Sequence, residues 1–173
     1  VTMRFNPLLA FRSVNELCHE NDQLNKEYQD IENGISTCLY PNYPGLCMQF
    51  SKPVNFVFQP HWYRGVEYYK EQERGYDFKE DLYVPGYFEM PIKKGESVFF
   101  SAGVSVADTT KFKKLYSEEL AKRTSRLDFF NCLKNAGQQF YNKIGDGHYL
   151  MAGYPWFKCR ARDQFVALPG VSL

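Results

Sequence analysis

Roughly the first hundred residues alternate between short apolar or aromatic segments and clusters of turn-forming residues. Residues 54–59 alternate apolar and polar side chains, which is typical of a strand with one buried face. Residues 35–39 and 45–50 flank a segment rich in Pro, Asn and Tyr, and are predicted to form a hairpin. Residues 82–92 and 95–106 are predicted to form a second hairpin. Short strands with such frequent turns predict an antiparallel β-sandwich.

Pro60 interrupts this pattern in the most aromatic part of the chain. Proline has no backbone N–H and is depleted from strand interiors, so we expect the strand at residues 54–59 to end there. Residues 61–70 are predicted to form a separate aromatic strand, followed by a highly charged segment at residues 71–81.

Near Asp108 the pattern changes from strands to helices. Asp108 and the two threonines after it offer helix N-caps, and apolar residues then recur at helical spacing. A second helix is predicted at residues 127–143, and a third is expected to begin at Arg162. The apolar stripe of the second helix comprises Leu127, Phe130, Leu133, Ala136 and Phe140. The chain is therefore predicted to be α+β.

The charge balance excludes several classes of function. The chain has 21 basic and 20 acidic residues, a net charge of +1. Binding to nucleic acid or to a membrane surface needs concentrated positive charge, so neither is expected. No apolar segment approaches the roughly 20 residues that a membrane-spanning helix requires. Aromatic residues form 17% of the chain, which fits either sugar stacking or, more commonly, core packing.

The cysteines and histidines indicate neither disulfides nor a metal site. The five cysteines are odd in number, and no pair has the close spacing of a metal or redox motif. Five free thiols favour a reducing compartment, so a cytoplasmic location is expected. His19, His61 and His148 lack partners at metal-ligand spacing, so no metal and no cofactor are expected.

Three parts of the sequence carry a family resemblance. Residues 152–170, AGYPWFKCRARDQFVALPG, closely resemble a motif of bacterial and archaeal glycogen debranching enzymes. A second block, at residues 61–86, resembles another part of the same family, and residues 7–12 give a weaker match. The three occur in the family's order and at compatible spacing.

The resemblance implies a particular architecture. The family has an N-terminal β-sandwich followed by the six-hairpin (α/α)6 barrel that it shares with glucoamylases. Residues 1–107 would form the later part of the sandwich, residues 108–147 a helical linker, and residues 148–173 the start of the barrel. Because the chain ends within an apolar segment, we expect it to be a fragment of a longer enzyme.

The resemblance also implies a sugar subsite near the C-terminus. A guanidinium and a carboxylate together can hold two neighbouring sugar hydroxyls. In glucoamylase-like enzymes such a pair holds the non-reducing glucose, and Arg162 and Asp163 match its position. Tyr154 and Trp156 match aromatic residues that would wall the pocket. The alternatives are an ion pair at a helix N-terminus and two rings packed in a core.

Some positions depart from the family motif. The family usually has tryptophan where this chain has Arg160, and glycine where it has Lys158 and Ala161. Exchanging a stacking ring for a charged side chain changes what the subsite can bind.

Four carboxylates in the second block invite comparison with the paired acids of glycosidases. They are Glu67, Glu73, Glu80 and Asp81. A solvated or ion-paired face near Arg64 and Arg74 is the preferred interpretation. In the family the general acid and base come from later barrel segments, so no catalytic residue is assigned and both are expected beyond residue 173.

The resemblance implies a parent enzyme that hydrolyses α-1,6-glucosidic linkages in glycogen or limit dextrin. This piece would supply the structural sandwich and part of the sugar subsite. Its expected partners are α-glucans, namely glycogen, limit dextrin and maltooligosaccharide, together with the rest of its own catalytic barrel. The alternatives are a stand-alone α-glucan-binding β-sandwich module without catalysis, and a remnant that binds no sugar.

Overall fold

The computed structural model describes residues 1–153 and 157–171, and the chain divides into two compact units, Val1–Tyr116 and Ser117–Leu173. Strands dominate the first unit. In chain order its elements are β1 (Thr2–Phe5), β2 (Tyr28–Ile31), β3 (Gly34–Thr37), β4 (Leu46–Phe50), β5 (Asn55–Glu67), α1 (Tyr69–Glu73), β6 (Lys79–Pro91) and β7 (Phe100–Gly103).

These strands form two antiparallel sheets. One has the order β1-β6-β5 and the other the order β2-β3-β4-β7. In the first sheet Phe5 lies opposite Phe88, and in the second Phe50 lies opposite Phe100. The arrangement agrees with the predicted antiparallel β-sandwich and confirms the mixed α+β class.

Aromatic rings from both sheets form the core of the first unit. Phe50 of β4 lies 5.6 Å from Phe5 and 5.0 Å from Phe88, measured between ring centroids. Phe56 of β5 lies 5.0 Å from Phe88 and 4.9 Å from Tyr28 of β2. Edge-to-face and tilted contacts at these distances are the favoured aromatic geometries. In this unit the aromatic content serves largely to join the two sheets.

The first predicted hairpin is confirmed, since β3 and β4 pair antiparallel with Ile35 opposite Met48. The second predicted hairpin is wrong. β6 pairs with β1 and β5, whereas β7 pairs with β4 in the other sheet. The segment after Pro91 therefore crosses between the sheets instead of turning back on β6.

Pro60 does not end its strand, so that prediction is also wrong. β5 continues from Asn55 to Glu67, and its pairing with β6 shifts register between Phe58 and His61. β5 lies at the edge of its sheet, and Pro60 falls within the irregular part of its pairing with β6, where it is opposite no paired residue. The irregularity accommodates the proline within one long strand.

At Asp108 the strands give way to a helical turn and a helix, as the sequence predicts, although the two compact units divide later, between Tyr116 and Ser117. The Asp108 carboxylate accepts a hydrogen bond from the backbone N–H of Thr110 at 3.1 Å and caps a 3₁₀ turn at Thr109–Lys111. Helix α2 (Phe112–Lys122) follows, with Phe112 buried. The carboxylate of Asp108 has its pKa lowered to about 2, first by its hydrogen bond from the Thr110 hydroxyl.

The helix predicted at residues 127–143 is shorter in the structure. Helix α3 spans Phe129–Gln138 and is capped by Asp128. Strands β8 (Tyr141–Ile144) and β9 (Gly147–Gly153) then form a hairpin whose turn contains Gly145 at φ 59°. Strand β10 (Phe157–Cys159) pairs with β9, and α4 (Ala161–Val171) includes Pro169. The third predicted helix is thus present.

Candidate functional site

Glu80, near the start of β6, is a completely buried carboxylate. Arg12 donates to both of its oxygens, from Nε to Oε1 and from Nη2 to Oε2, the latter at 3.0 Å. The Tyr68 hydroxyl also donates to Oε2, and the backbone N–H of Cys18 donates to Oε1 at 3.1 Å. Four donors from three separate parts of the chain therefore converge on one carboxylate.

These hydrogen bonds decide the protonation state of Glu80. Burial on its own raises the pKa of a carboxyl group. The bonds from Arg12, Tyr68 and the backbone of Cys18 outweigh burial, so the pKa of Glu80 is lowered. The pKa of Arg12 is raised, chiefly by its hydrogen bond to Glu80. The pair is charged and acts as a structural brace. Glu80 therefore carries no proton that it could donate as the general acid of a glycosidase does.

Asp81 makes a different set of contacts. Its carboxylate accepts from the backbone N–H of Gly65 at 2.9 Å and from that of Glu20 at 3.1 Å. The hydrogen bond from the Glu20 backbone, followed by that from Gly65, lowers the pKa of Asp81. Arg64 of β5 in turn donates from Nε and Nη2 to the two carboxylate oxygens of Glu20. Asp81 and Arg64 thereby fix the segment before β2 against β5.

A cleft of about 320 Å³ lies beside these contacts in the first unit. Trp62 and Tyr83 supply its aromatic side, with ring centroids 5.6 Å apart in an edge-to-face arrangement. The Tyr83 side chain is buried, and its hydroxyl is the one buried side-chain polar atom in residues 1–153 and 157–171 that lacks a hydrogen-bond partner. The remaining lining residues are Glu20, Asn21, Asp22, Lys26, Pro60, His61 and Arg64.

The expected ion-paired face is only partly present. Glu67 pairs with Lys79 and Glu73 with Lys70, both at 3.0 Å and both largely exposed. Glu80 is neither solvated nor paired with the arginines of its own block, because its partner is Arg12. The one hint in the sequence was that Arg12 closes the weak motif at residues 7–12 and so belongs to the same family pattern.

The predicted sugar subsite lies in the second unit. Arg162 and Asp163 stand at the start of α4, where Arg162 Nη2 is 3.6 Å from Asp163 Oδ1. The Arg162 side chain is 85% exposed and that of Asp163 33%. The guanidinium of Arg160 lies over the Phe157 ring at 5.3 Å. Tyr154 and Trp156 lie outside the described residues.

The described part of the chain shows neither a membrane-spanning helix nor a metal-binding cluster. No helix there is long and apolar enough to cross a bilayer. Within residues 1–153 and 157–171, no group of three or more His, Cys, Asp and Glu side chains is placed to hold a metal ion. All five cysteines carry free thiols.

The two stacked sheets and their buried ionic brace define an antiparallel β-sandwich domain within an α+β chain. A family model described as the N terminal of glycogen debranching enzyme matches residues 1–99, which is more than half of the chain. The chain belongs to this glycogen debranching enzyme family, as the sequence motifs predicted. No curated protein and no solved structure gives a significant match.

Proposed function

We propose that the chain is a fragment of a glycogen debranching enzyme that hydrolyses α-1,6-glucosidic linkages in glycogen or limit dextrin, and that residues 1–107 form the later part of its N-terminal sandwich. The observation that carries the proposal is the family match over residues 1–99, which covers every strand of the first unit except β7. The general acid and base belong to barrel segments outside these 173 residues. The five free thiols fit a cytoplasmic enzyme.

In this proposal Arg162 and Asp163 hold a glucose at the innermost subsite, and Tyr154 and Trp156 wall the pocket. Two features support the role of the Arg–Asp pair. The residues are adjacent at the start of α4, and the exposed guanidinium of Arg162 is accessible to a ligand. Charged donors and acceptors bind neutral hydroxyls through hydrogen bonds that are stronger than those between neutral groups.

The proposal also assigns residues 148–173 to the start of the catalytic barrel. It further assigns the exposed apolar face of α3 to an interface. Three large apolar side chains of this helix are largely exposed, with Phe129 at 78%, Phe130 at 72% and Leu133 at 54%. A contiguous exposed apolar face marks an interaction surface. We assign this face to contact with the rest of the enzyme's own barrel.

A second candidate function is a glucan-binding sandwich module without catalysis. The cleft that contains Trp62 favours it, because this cleft lies wholly within the first unit and needs no barrel residue. A module of this kind would bind maltooligosaccharide with Asp163 replaced.

The test is release of glucose from limit dextrin by the protein expressed from its complete gene. We expect Asp163→Asn to lower kcat/KM by roughly tenfold to a hundredfold, the loss of one or two charge-assisted hydrogen bonds. Asp146→Asn, in the exposed turn between β8 and β9, is the matched control and should leave the rate unchanged. An active wild-type enzyme whose rate is equal in both variants would remove Asp163 from the subsite. Absence of glucose release from the wild type would remove the enzyme proposal.

A further inference from the structure

The two sheets of the first unit differ in width. The sheet β1-β6-β5 has three strands, whereas the sheet β2-β3-β4-β7 has four. Phe56 and Phe58 of β5 contact Tyr28 of β2, so the narrower sheet covers the wider one from the β2 edge. On the other side Phe5 of β1 reaches Phe100 of β7, at 4.7 Å between ring centroids. Among the described residues, β1 is therefore the last strand of the narrower sheet on the β7 side.

The inner face of β7 is largely uncovered. Phe50 and Met48 of β4 lie in the sandwich core and are each 1% exposed. Their partners across the ladder are Phe100 and Ala102 of β7. Residues directly opposite each other in a ladder share a face, yet Phe100 is 41% exposed and Ala102 is exposed as well. The cover that the narrower sheet provides therefore ends between β4 and β7.

The free edge of β1 lies beside this uncovered surface. Val1 and Ile92 exchange two backbone hydrogen bonds, donated by the Val1 ammonium at 3.3 Å and by the Ile92 N–H at 2.8 Å. Hydrogen-bonded and non-hydrogen-bonded pairs alternate along an antiparallel ladder. Thr2 and Arg4 therefore direct their N–H and C=O groups away from β6. Within residues 1–153 and 157–171, no strand pairs with these outward groups.

One further strand would cover the inner face of β7. Neighbouring strands lie about 4.8 Å apart, so a strand paired with the free edge of β1 would extend the narrower sheet over β7. Unpaired backbone groups on an edge strand are a template for such pairing. Apolar side chains at alternate positions of the new strand would pack on Phe100 and Ala102. The geometry thus requires a strand with one apolar and one polar face.

We propose that the segment preceding Val1 in the complete gene product forms this strand, as a hairpin with β1. The inference rests on the proposed function, in which residues 1–107 are the later part of a sandwich whose earlier part precedes them. Strands that are consecutive along the chain are neighbours in space in about two-thirds of cases. The residues that follow β7 are not available for this place, because they continue through the turn capped by Asp108 into α2.

The widths of the sheets favour this occupant over a second copy of the chain. The narrower sheet is one strand short of the wider one, so a single strand completes the layer. The edge of a second copy would bring with it a whole sheet of three or four strands. A hairpin partner adds one strand and needs only a short turn, commonly of 2–5 residues.

Hydrogen exchange at the backbone of β1 tests the pairing. Exchange is measured by mass spectrometry with residue resolution in the 173-residue chain, in the same chain extended upstream to its natural start, and in the complete gene product. We expect the amides of Thr2 and Arg4 to exchange roughly a hundredfold more slowly in the two longer proteins, because a paired amide exchanges only through local opening. The amides of Met3 and Phe5 face β6 and are the matched control, since they should be protected in all three proteins.

A thiol probe tests the cover over β7. Ala102→Cys places a thiol on the exposed inner face, and its labelling by a maleimide is followed by peptide mass spectrometry in the same three proteins. Labelling should be at least about tenfold slower in the two longer proteins, because access governs the reaction of a thiol. Ser101→Cys is the matched control. Ser101 lies on the opposite face of the same strand, so its labelling rate should not change on upstream extension.

Several outcomes would overturn the inference. Exchange at Thr2 and Arg4 that is equally fast in all three proteins would do so, as would a complete gene that encodes no strand before Val1. Slower exchange in the complete gene product alone would assign the edge of β1 to a later segment instead. Protection that rises with the concentration of the 173-residue chain would assign the edge to a second copy.

Failure of the inference is distinguishable from failure of the proposed function. Slow exchange in both longer proteins, combined with no glucose release from limit dextrin, overturns the enzyme proposal and leaves the added strand. Glucose release combined with fast exchange at Thr2 and Arg4 overturns the added strand and leaves the enzyme proposal.

Discussion

Replacing Arg12 by alanine should destabilise the first unit by an amount that the structure sets. Glu80 is completely buried and would lose both charge-assisted hydrogen bonds, keeping those from Tyr68 and the Cys18 backbone. Removing one partner of a buried ion pair costs about 3–5 kcal/mol. Because two donors remain on Glu80 and Arg12 is itself 21% exposed, we expect a loss near the lower limit, about 3 kcal/mol.

The pH dependence gives this prediction a second signature. The pKa of Glu80 lies below its usual value of 4.5, so the ion pair stabilises the fold fully above that pH. The stabilisation is lost as the pH falls through the pKa of the folded state. In Arg12→Ala only the hydrogen bonds from Tyr68 and the Cys18 backbone remain to offset the burial of Glu80, so its carboxyl takes up a proton at a higher pH than in the wild type. The difference in the free energy of unfolding between wild type and Arg12→Ala should therefore be smaller at pH 4 than at pH 7.

The assay is urea unfolding followed by the fluorescence of Trp62, in a Trp156→Phe background that leaves a single tryptophan in the first unit. Lys79→Ala is the matched control. It breaks the exposed Lys79–Glu67 pair on the same two strands and should change stability by about 0.5 kcal/mol or less. The claim that the buried ion pair stabilises the first unit would be refuted by either of two results. One is a fall of less than about 1 kcal/mol in the free energy of unfolding of Arg12→Ala, and the other is a difference from wild type that stays constant with pH.

Three further perturbations test other parts of the fold. Gly86→Ala places a Cβ 2.1 Å from the Val57 carbonyl oxygen at φ 147°, so urea unfolding should show a loss of more than about 2 kcal/mol. Gln49→Leu removes the hydrogen bonds that the Gln49 side chain makes with the N–H and C=O of Ala107, at 2.8 and 3.1 Å. The free energy of unfolding should fall by about 2–4 kcal/mol in the same experiment. NMR titration should give Asp108 a pKa of about 2, with capping lost as the pH falls from 3.8 towards that value; a midpoint near 3.8 would contradict the cap.

The local pattern predicted most of the sandwich, and its failures have identifiable causes. The alternation at residues 54–59 indicates a strand correctly, but it carries no information about sheet position. Proline ends a central strand, whereas β5 is an edge strand and continues past Pro60. The false hairpin at residues 82–106 has the same origin. Turn residues show that the chain changes direction there, but the partner of β7 is a strand some fifty residues earlier.

The second unit shows how periodicity misleads where strands are short. Phe140 continues the spacing of the stripe that begins at Leu127, so periodicity alone predicts a helix that extends to residue 143. Gly145 permits a tight turn with positive φ, and the hairpin it closes places Tyr141 opposite Leu150. Pairing with β9 overrides helical spacing over these residues.

The candidate sites also differ in how far the sequence predicted them. A motif placed Arg162 and Asp163 side by side at the start of a helix, and the structure agrees on that placement. No local pattern joins Arg12 to Glu80, because the two are 68 residues apart; their only link in the sequence is that both lie in segments that resemble the same family. The cleft beside Trp62 has the same long-range origin. Sites built from distant segments are therefore the ones that local motifs miss.

The pairing of β1 with β6 has a consequence for synthesis of the protein. Thr2 lies opposite Pro91, so the side of β1 that faces β6 has no neighbour until nearly ninety further residues have been translated. At elongation rates of about 5–20 residues per second, this interval lasts several seconds or more. During it Phe5 can pack against Phe50 of the other sheet, but the backbone of β1 has no hydrogen-bonded neighbour on that side and remains open to pairing with other chains.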